Sequence, residues 1–404
     1  MPAARTRSYE VHFIIIFLLI SFNLRMSFSA ADPLLVFLMR DLGLTVEDSG
    51  LFGLLPVMAL GVAAPLGARL VSLIRPRLLI VYSLLLAIVG VVWRSYGGIP
   101  GLYGGTVAIG LGLGITGSII LGIVKEVFPN KVPEMMGGYT ACVCLGTSVG
   151  SGASDPVALM LGGWQAGLLF WAAPLLLAVL LWAELIFRHH PLNVRQTTLK
   201  ADMRPLLHQK KAWMVSLFYL FRVAGSWLLI VWLATLMRRR GIPLVESGLV
   251  LAVATACQIP SALLSDHFCQ WLGNRTRLML LAIPLSIVSC WGLLEAPLSL
   301  WPLFAILFGL CIGSIFTLGM TLIVVNSADE ATTVALSGMA QGLGFIVGGL
   351  LAWVGSLAMQ TEHPDCWILA LYAIFALSGL YFGYKSDQPG SVRVTPAPPS
   401  PPAS

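Results

Sequence analysis

Apolar runs, each long enough to form a membrane-spanning helix, follow one another along almost the whole 404-residue chain. The hydrocarbon core of a bilayer is about 30 Å thick, and an α-helix of about 20 apolar residues crosses it. Backbone polar groups in lipid must be paired within their own segment, so we expect each run to be helical. The twelve predicted spans are 11–39, 48–70, 77–96, 100–124, 134–160, 165–187, 212–237, 247–270, 277–295, 300–325, 332–359 and 367–384.

The low charge content excludes an ordinary soluble fold. Charged residues make up 10% of the chain and hydrophobic residues 57%, whereas a soluble domain carries roughly 25% charged residues. The net charge is +6, but the basic residues lie in short clusters between the apolar runs. This pattern is typical of the loops of membrane proteins. We therefore expect a lipid bilayer as a partner and no nucleic acid.

The distribution of Lys and Arg predicts the orientation. Twelve spans place both chain ends on one side of the membrane. If that side is the cytoplasm, cytoplasmic segments hold 17 basic residues and the opposite segments hold 5, as the positive-inside rule requires. The cluster 238–240 (RRR) goes against this rule. We predict a multi-pass protein of a bacterial inner (plasma) membrane with both termini cytoplasmic.

The two halves of the chain resemble each other. Residues 38–43 (LMRDLG) match 236–241 (LMRRRG) at an offset of 198. A pair of glycines in span four and another in span ten match at an offset of 199. Two similar six-helix bundles are the architecture of major facilitator transporters. The fold prediction is an all-α integral membrane protein with twelve transmembrane helices in two pseudo-symmetric bundles, the major facilitator fold.

The longest polar stretch and the composition of the C-terminus set the domain boundaries. The tail is rich in Pro and Ser, a composition typical of disorder. The predicted units are an N-terminal bundle (1–187), a cytoplasmic linker (188–211), a C-terminal bundle (212–386) and a disordered tail (387–404).

Two arginines stand near the middle of predicted spans, Arg25 in span one and Arg222 in span seven. A charge at the centre of the bilayer costs about 2.5–3.5 kcal/mol, so it is expected to face a cavity or a partner. A guanidinium presents a planar fork of donors that suits carboxylates and similar anions. We predict that both bind a small anionic or polar substrate. The alternative is that they are structural and paired with Asp32, with Asp155 or with helix carbonyls.

Two intramembrane acids, Asp32 and Asp155, are candidates for proton coupling. Burial favours the neutral form of a carboxyl group, so such an acid can take up and release a proton during transport. The alternative is a fixed ion pair, for example with Arg25 or Arg94. Trp232 in the middle of span seven could line the pathway or only pack against another helix.

Charged loops on the predicted cytoplasmic side could latch the halves together. The candidates are Asp266 and Arg275 in the second half and Arg69 in the first. The alternative is ordinary positive-inside anchoring. We expect no cofactor and no metal, because the seven Cys have no metal-site spacing and no phosphate-binding loop occurs.

Several motifs are similar to those of the cyanate porter family of the major facilitator superfamily, which includes cyanate permeases and nitroimidazole transporters. They are 23–25 (NLR) followed by 33–35 (PLL), 123–125 (IVK) with 128–129 (FP), 232–233 (WL), and 337–341 (SGMAQ). The resemblance implies the two-bundle fold and alternating access, and it supports Arg25 and Gln341 as cavity residues. Asn23 of the same motif joins them as a candidate substrate ligand. The chain departs from the family at Arg222, Asp32 and Asp155.

The functional prediction is a secondary active transporter of a small anionic or polar organic solute, working by alternating access and coupled to protons. An alternative is an efflux carrier for nitroimidazole-type drugs. A different class is a non-transporting receptor or sensor, for which no added signalling domain is present. The chain is predicted to be no enzyme and to function as a monomer.

Overall fold

The computed structural model describes residues 7–44, 46–189 and 199–394, which are almost entirely helical. A 3₁₀ turn at Leu298–Leu300 precedes α14. The helices are α1 (Arg7–Ser29), α2 (Leu35–Leu42), α3 (Val46–Leu70), α4 (Pro76–Tyr96), α5 (Gly98–Val127), α6 (Val132–Met160), α7 (Trp164–Phe170), α8 (Ala172–His189), α9 (Arg204–Leu207), α10 (Lys210–Arg239), α11 (Leu244–Ala256), α12 (Gln258–Leu272), α13 (Arg275–Glu295), α14 (Trp301–Asn326), α15 (Glu330–Ala358) and α16 (Pro364–Asp387).

Twelve elements form the membrane-crossing spans. Spans one to six are α1, α3, α4, α5, α6 and the pair α7–α8. Spans seven to twelve are α10, the pair α11–α12, α13, α14, α15 and α16. Within the described residues, ten of these twelve spans are long and apolar enough to cross a bilayer. The other two are span two, with a shorter apolar stretch at Leu54–Leu70, and the more polar span five. The predicted twelve-span membrane fold is confirmed.

Helix pairing inside the first half is repeated in the second. Span four packs against spans two and three, and span one packs against span five. Correspondingly, span ten packs against spans eight and nine, and span seven packs against span eleven. The two six-helix bundles are therefore pseudo-symmetric, as the internal repeat predicts.

The bundles meet closely at the end that carries both chain termini, here called the termini face. Glycines allow the close approach: a Cβ at Gly137 would lie 2.8 Å from the Ala262 carbonyl oxygen, and one at Gly338 would lie 2.9 Å from that of Ala64. Towards the opposite face, a Cβ at Gly152 or Gly248 would meet nothing within 4 Å. Spans five and eight therefore leave space at the opposite face.

Span one does not form the continuous helix predicted over 11–39. Helix α1 ends at Ser29, and α2 begins at Leu35 after a turn that contains Asp32 and Pro33. Proline lacks the backbone N–H and disfavours helical geometry in the preceding residue, which favours a break at this point without requiring one. The same dipeptide at Asp155–Pro156 leaves span five helical.

The first part of the predicted disordered tail is an ordered segment. Val392 N–H donates to the Asn326 carbonyl (2.7 Å), and the Val392 carbonyl accepts from Ala328 N–H (3.1 Å). Gln209 donates to the Arg393 carbonyl (2.6 Å), and Val392 is fully buried. This differs from the prediction because two valines can pack onto the termini face. Residues 395–404, and residues 190–198 of the linker, lie outside the described residues.

Candidate substrate site between the two halves

Arg25 of the first bundle contacts the second bundle, and Arg222 of the second bundle lies near enough to interact with it electrostatically. The Arg25 guanidinium carbon lies 4.4 Å from the centre of the Trp227 ring, and that of Arg222 lies 3.8 Å from the centre of the Phe316 ring. Arg25 is close enough to act electrostatically on Arg222. Each cation is thus held against an aromatic face, an arrangement that offsets part of the cost of its burial.

The described residues provide neither arginine with an acidic partner. Within the described part of the chain, no carboxylate lies at ion-pair distance from either guanidinium. Arg222 Nε is buried without a hydrogen-bond acceptor. Asp32 interacts electrostatically with Arg25 and Arg94 without pairing directly with either. The alternative of acid-paired structural arginines is therefore not what this conformation contains.

Hydroxyl and thiol groups surround the arginine pair. Tyr219 and Cys144 interact electrostatically with both arginines, and Tyr139 interacts with Arg25. Tyr219 lies three residues before Arg222, so both occupy the same side of span seven. The Tyr219 hydroxyl is buried and has no partner. The site therefore presents donors that lack acceptors.

Gln341 is buried at the contact between spans eleven and four. Its amide donates to Ser337 Oγ (2.7 Å) and lies 3.5 Å from the Gly117 carbonyl oxygen. A Cβ at Gly117 would lie 3.7 Å from the Gln341 oxygen and 3.9 Å from the Tyr139 hydroxyl. Gln341 and Tyr139 are thus close neighbours, and Gly117 leaves room for both.

A polar stripe on span five leads from the arginines to the opposite face. Its members recur at helical spacing and become more exposed along the helix: Cys144 is buried, Ser148 is half-buried, and Ser151 and Asp155 are exposed. The Cys144 thiol lies 3.8 Å from the side-chain oxygen of Gln258 on span eight. A solute arriving from the opposite face would meet this stripe before the arginines.

Two predicted ligands, Asn23 and Trp232, lie elsewhere. Asn23 is fully buried and donates to the carbonyls of Leu19 (2.8 Å) and Pro174 (3.3 Å), which tie span one to span six. The Trp232 indole donates to the Ala352 carbonyl (2.9 Å) on span eleven. Both side chains bond backbone carbonyls of their own half, and their role as substrate ligands stays a prediction.

The predicted proton-coupling residues are placed towards the opposite face. Asp32 and Asp155 are both exposed. Neither forms a direct ion pair with a described residue. Arg94, one suggested partner, is fully buried and donates to the Ser27 carbonyl (2.9 Å). The fixed ion pairs offered as an alternative are not formed.

The three residues of the predicted latch are not joined. Asp266 accepts from Gln270 one turn away on its own helix (2.7 Å). Arg275 lies 3.7 Å from Asp387 within the second half. Arg69 makes no ion pair with any described residue. In this conformation no charge pair among them links the two halves.

Aromatic residues of the site were missed by the sequence prediction. Trp227, Phe316, Tyr139 and Tyr219 all lie beside the arginines. The two tyrosines carried a signal, because each stands well inside a span rather than at the membrane edge where tyrosine is usual. No cluster of three or more metal-ligating side chains occurs among the described residues.

Known proteins agree with this architecture. The chain is 28% identical over 341 residues to the cyanate transport protein CynX of Escherichia coli (strain K12), covering 84% of this chain and 88% of that protein. It is 28% identical over 382 residues to the 2-nitroimidazole transporter of the same organism, covering 93% and 95%. A structure of the proton:xylose symporter XylE superposes with a TM-score of 0.74 at 10% identity, covering 94% of this chain and 96% of the symporter.

These relatives confirm the resemblance to cyanate porters, and they are transporters rather than enzymes. The Major Facilitator Superfamily matches residues 17–349, which is most of the chain. With two pseudo-symmetric bundles of six membrane-spanning helices around a central polar site, the chain belongs to the Major Facilitator Superfamily of membrane transporters.

Proposed function

We propose that this transporter carries a small planar anion, or a small organic solute rich in hydrogen-bond acceptors, bound between Arg25 and Arg222. The observation that carries the proposal is that two guanidiniums, near enough to interact electrostatically, both lack an acidic partner among the described residues. Leaving a buried donor unpaired costs about 1–3 kcal/mol, and more for a charged group. An anion with two or more oxygen or nitrogen acceptors supplies the missing partners.

The aromatic walls favour a flat substrate. Each guanidinium carbon lies over an aromatic ring, Trp227 for Arg25 and Phe316 for Arg222, so a flat solute could stack beside the rings while it accepts from the N–H groups. A planar group can accept from both forks in one plane. A nitro group is planar and cyanate is linear, so both fit beside flat rings, in keeping with the substrates named for the two relatives.

Alternating access is the mechanism that fits the packing. With both termini in the cytoplasm of a bacterial inner membrane, the tightly packed termini face is the cytoplasmic side, and this conformation faces outward. The stripe from Asp155 to Cys144 is then the entry route. Closure at the outer face, with separation at the glycine contacts of the termini face, would present the same arginines to the cytoplasm.

Transport assays with arginine variants test the proposal. Purified protein in liposomes is supplied with radiolabelled cyanate, nitrate, acetate or 2-nitroimidazole, and flux and half-saturation are measured. We expect Arg25→Gln or Arg222→Gln to weaken half-saturation about 10- to 100-fold, the worth of a charge-assisted pair of hydrogen bonds. The control Arg188→Gln removes an equal charge from an exposed residue and should leave flux unchanged.

Three outcomes separate the alternatives. Saturable flux that both arginine variants retain at wild-type affinity overturns the assigned site. Flux of 2-nitroimidazole alone, with none of the anions, favours the drug-efflux function. Tight binding without flux of any solute favours the receptor or sensor class.

Proton coupling is proposed for Asp32, with Asp155 as the comparison. Asp32 is exposed at the opposite face and interacts electrostatically with Arg25, so its protonation state bears on anion binding. We expect wild-type flux to increase with a pH gradient and Asp32→Asn to lose that dependence while keeping solute exchange. If Asp32→Asn responds to the pH gradient as the wild type does, Asp32 is not the proton-coupling residue. If only Asp155→Asn loses the response, the coupling residue is Asp155.

A further inference from the structure

A second cavity, of about 730 Å³, lies at the termini face, away from the arginine pair. Its walls come from spans two and eleven, the start of span seven, and the linker segment 200–207. Because spans two and eleven belong to different bundles, the cavity straddles the contact between them. Its volume lies within the range of about 300–1,000 Å³ that is usual for small-molecule sites.

The inner surface of the cavity is apolar. Both bundles contribute aliphatic side chains to it, which would suit a hydrocarbon chain and would leave a polar solute without partners. These residues are Pro65, Ala68, Met339, Leu343 and Ile346.

The rim of the cavity is cationic. Arg69, Lys200 and Arg204 line it, all three are exposed, and none forms an ion pair with a described residue. The acid on the rim is Asp202, whose carboxylate accepts from the Arg204 backbone N–H (3.0 Å). Three cations against one acid leave the rim positive and free to bind an anion.

Trp213 places the rim near the membrane surface. Its side chain lines the cavity, and its indole N–H donates to the Leu207 carbonyl (2.8 Å). Trp213 is the fourth residue of span seven, and an indole near a helix end is typical of the level of the lipid headgroups. The cationic rim and the apolar interior of the cavity are thus arranged in the same order as the headgroups and the acyl chains of a lipid leaflet.

We propose that this cavity binds an anionic phospholipid, with the phosphate at Arg69, Lys200 and Arg204 and an acyl chain on the apolar surface between spans two and eleven. Basic pockets between membrane helices recognise anionic headgroups by this chemistry. Because the walls belong to both bundles, the bound lipid stabilises the conformation in which the termini face is closed.

Lipid retention tests the site. Full-length protein is reconstituted in phosphatidylcholine with a minor fraction of phosphatidylglycerol of the same chain length, then extracted mildly, and the retained lipids are counted by native mass spectrometry. We expect phosphatidylglycerol to be enriched over phosphatidylcholine in the wild type. The triple variant Arg69→Gln/Lys200→Gln/Arg204→Gln should lower that enrichment at least about fivefold, the worth of one surface cation or more.

A matched variant separates this site from general surface charge. Lys131→Gln/Arg188→Gln/Lys210→Gln removes three charges from the same face outside the cavity, and it should keep wild-type enrichment. Ser72→Trp, at an exposed position that lines the cavity, should lower retention of phosphatidylglycerol without removing any charge. Melting temperatures in phosphatidylcholine alone verify that each variant is folded.

Equal phosphatidylglycerol enrichment in the wild type and in the cavity triple variant would overturn the proposal, as would an equal loss in both triple variants. A further arm replaces phosphatidylglycerol by inorganic phosphate and follows the melting temperature. Stabilisation by phosphate that matches stabilisation by phosphatidylglycerol would identify a soluble-anion site and reject the lipid.

Discussion

At the scale of single residues, the site depends on two guanidiniums that are held by rings instead of carboxylates. Trp227 belongs to the second half but covers Arg25 of the first, so it couples the bundles at the site. A cation–π contact is worth about 0.5–2 kcal/mol. Trp227 therefore fixes the direction of the Arg25 fork without neutralising its charge, which leaves the charge available to a substrate.

Replacing Trp227 should therefore impair binding more than folding. We expect Trp227→Leu to weaken substrate affinity about 3- to 30-fold, the worth of the cation–π contact. The matched variant Trp232→Leu removes an indole that bonds the Ala352 carbonyl inside one bundle; it should lower the melting temperature and leave affinity unchanged. Calorimetric titration with the transported solute measures both. Equal affinity losses in the two variants would contradict the assignment.

The sequence predicted the depth of the two arginines but not which way the residues next to them in the chain point. The repeat offset of 198 places Arg25 one residue from Arg222 in the second half, which predicted their similar depth. Successive helical residues are about 100° apart, so Asn23, two residues from Arg25, points about 200° away and faces span six. The depth of a side chain in the membrane follows from the hydropathy pattern. The residue that it faces depends on tertiary packing, which cannot be read from the pattern of one sequence.

At the scale of helices, glycines on spans two and eleven set how closely the bundles approach. A Cβ at Gly338 would meet the Ala64 carbonyl oxygen at 2.9 Å, and one at Gly61 would meet the Ile346 backbone nitrogen at 3.0 Å. These are backbone atoms, which can move only if a whole helix shifts. Only the structure shows that these glycines lie against the opposite bundle.

A larger residue at this contact should open the termini face. We expect Gly338→Val to cost about 1–3 kcal/mol in the present conformation through overpacking, and so to favour the state in which the termini face is open. Spin labels at Lys131→Cys and Gln270→Cys, in a cysteine-free background, report the distance between spans five and eight by pulsed electron resonance. This distance should lengthen in Gly338→Val. The control Gly152→Val, whose Cβ meets nothing within 4 Å, should leave the distance unchanged. An unchanged distance in both variants would contradict the inference that the contact between spans two and eleven controls opening of the termini face.

At the scale of the whole molecule, the chain after span twelve returns to cover the termini face. Val392 pairs with the loop between spans ten and eleven, and Val394 N–H donates to Thr332 Oγ1 (3.2 Å). The two valines join the main apolar cluster of the protein. Composition alone suggested disorder, because Pro and Ser dominate the residues that follow and mask two valines suited to burial.

Two truncations distinguish the ordered segment from the rest of the tail. Removing residues 388–404 should lower the free energy of unfolding by about 2 kcal/mol or more, since it exposes the surface that the valines cover. Removing only 395–404 leaves those contacts intact and should have no effect. Thermal unfolding of the purified protein in detergent measures the difference, and identical melting temperatures for the two truncations would rule out a stabilising role.

The arginine pair has an electrical consequence. Two positive charges lie within the thickness of the bilayer with no negative side chain directly opposing them among the described residues. A membrane potential does work of about 2.3 kcal/mol on each elementary charge per 100 mV. Under the proposed function, a bound anion would cancel one of these charges. Voltage would then act with different force on the empty and the loaded protein, and the membrane potential would help to set how fast each form reorients.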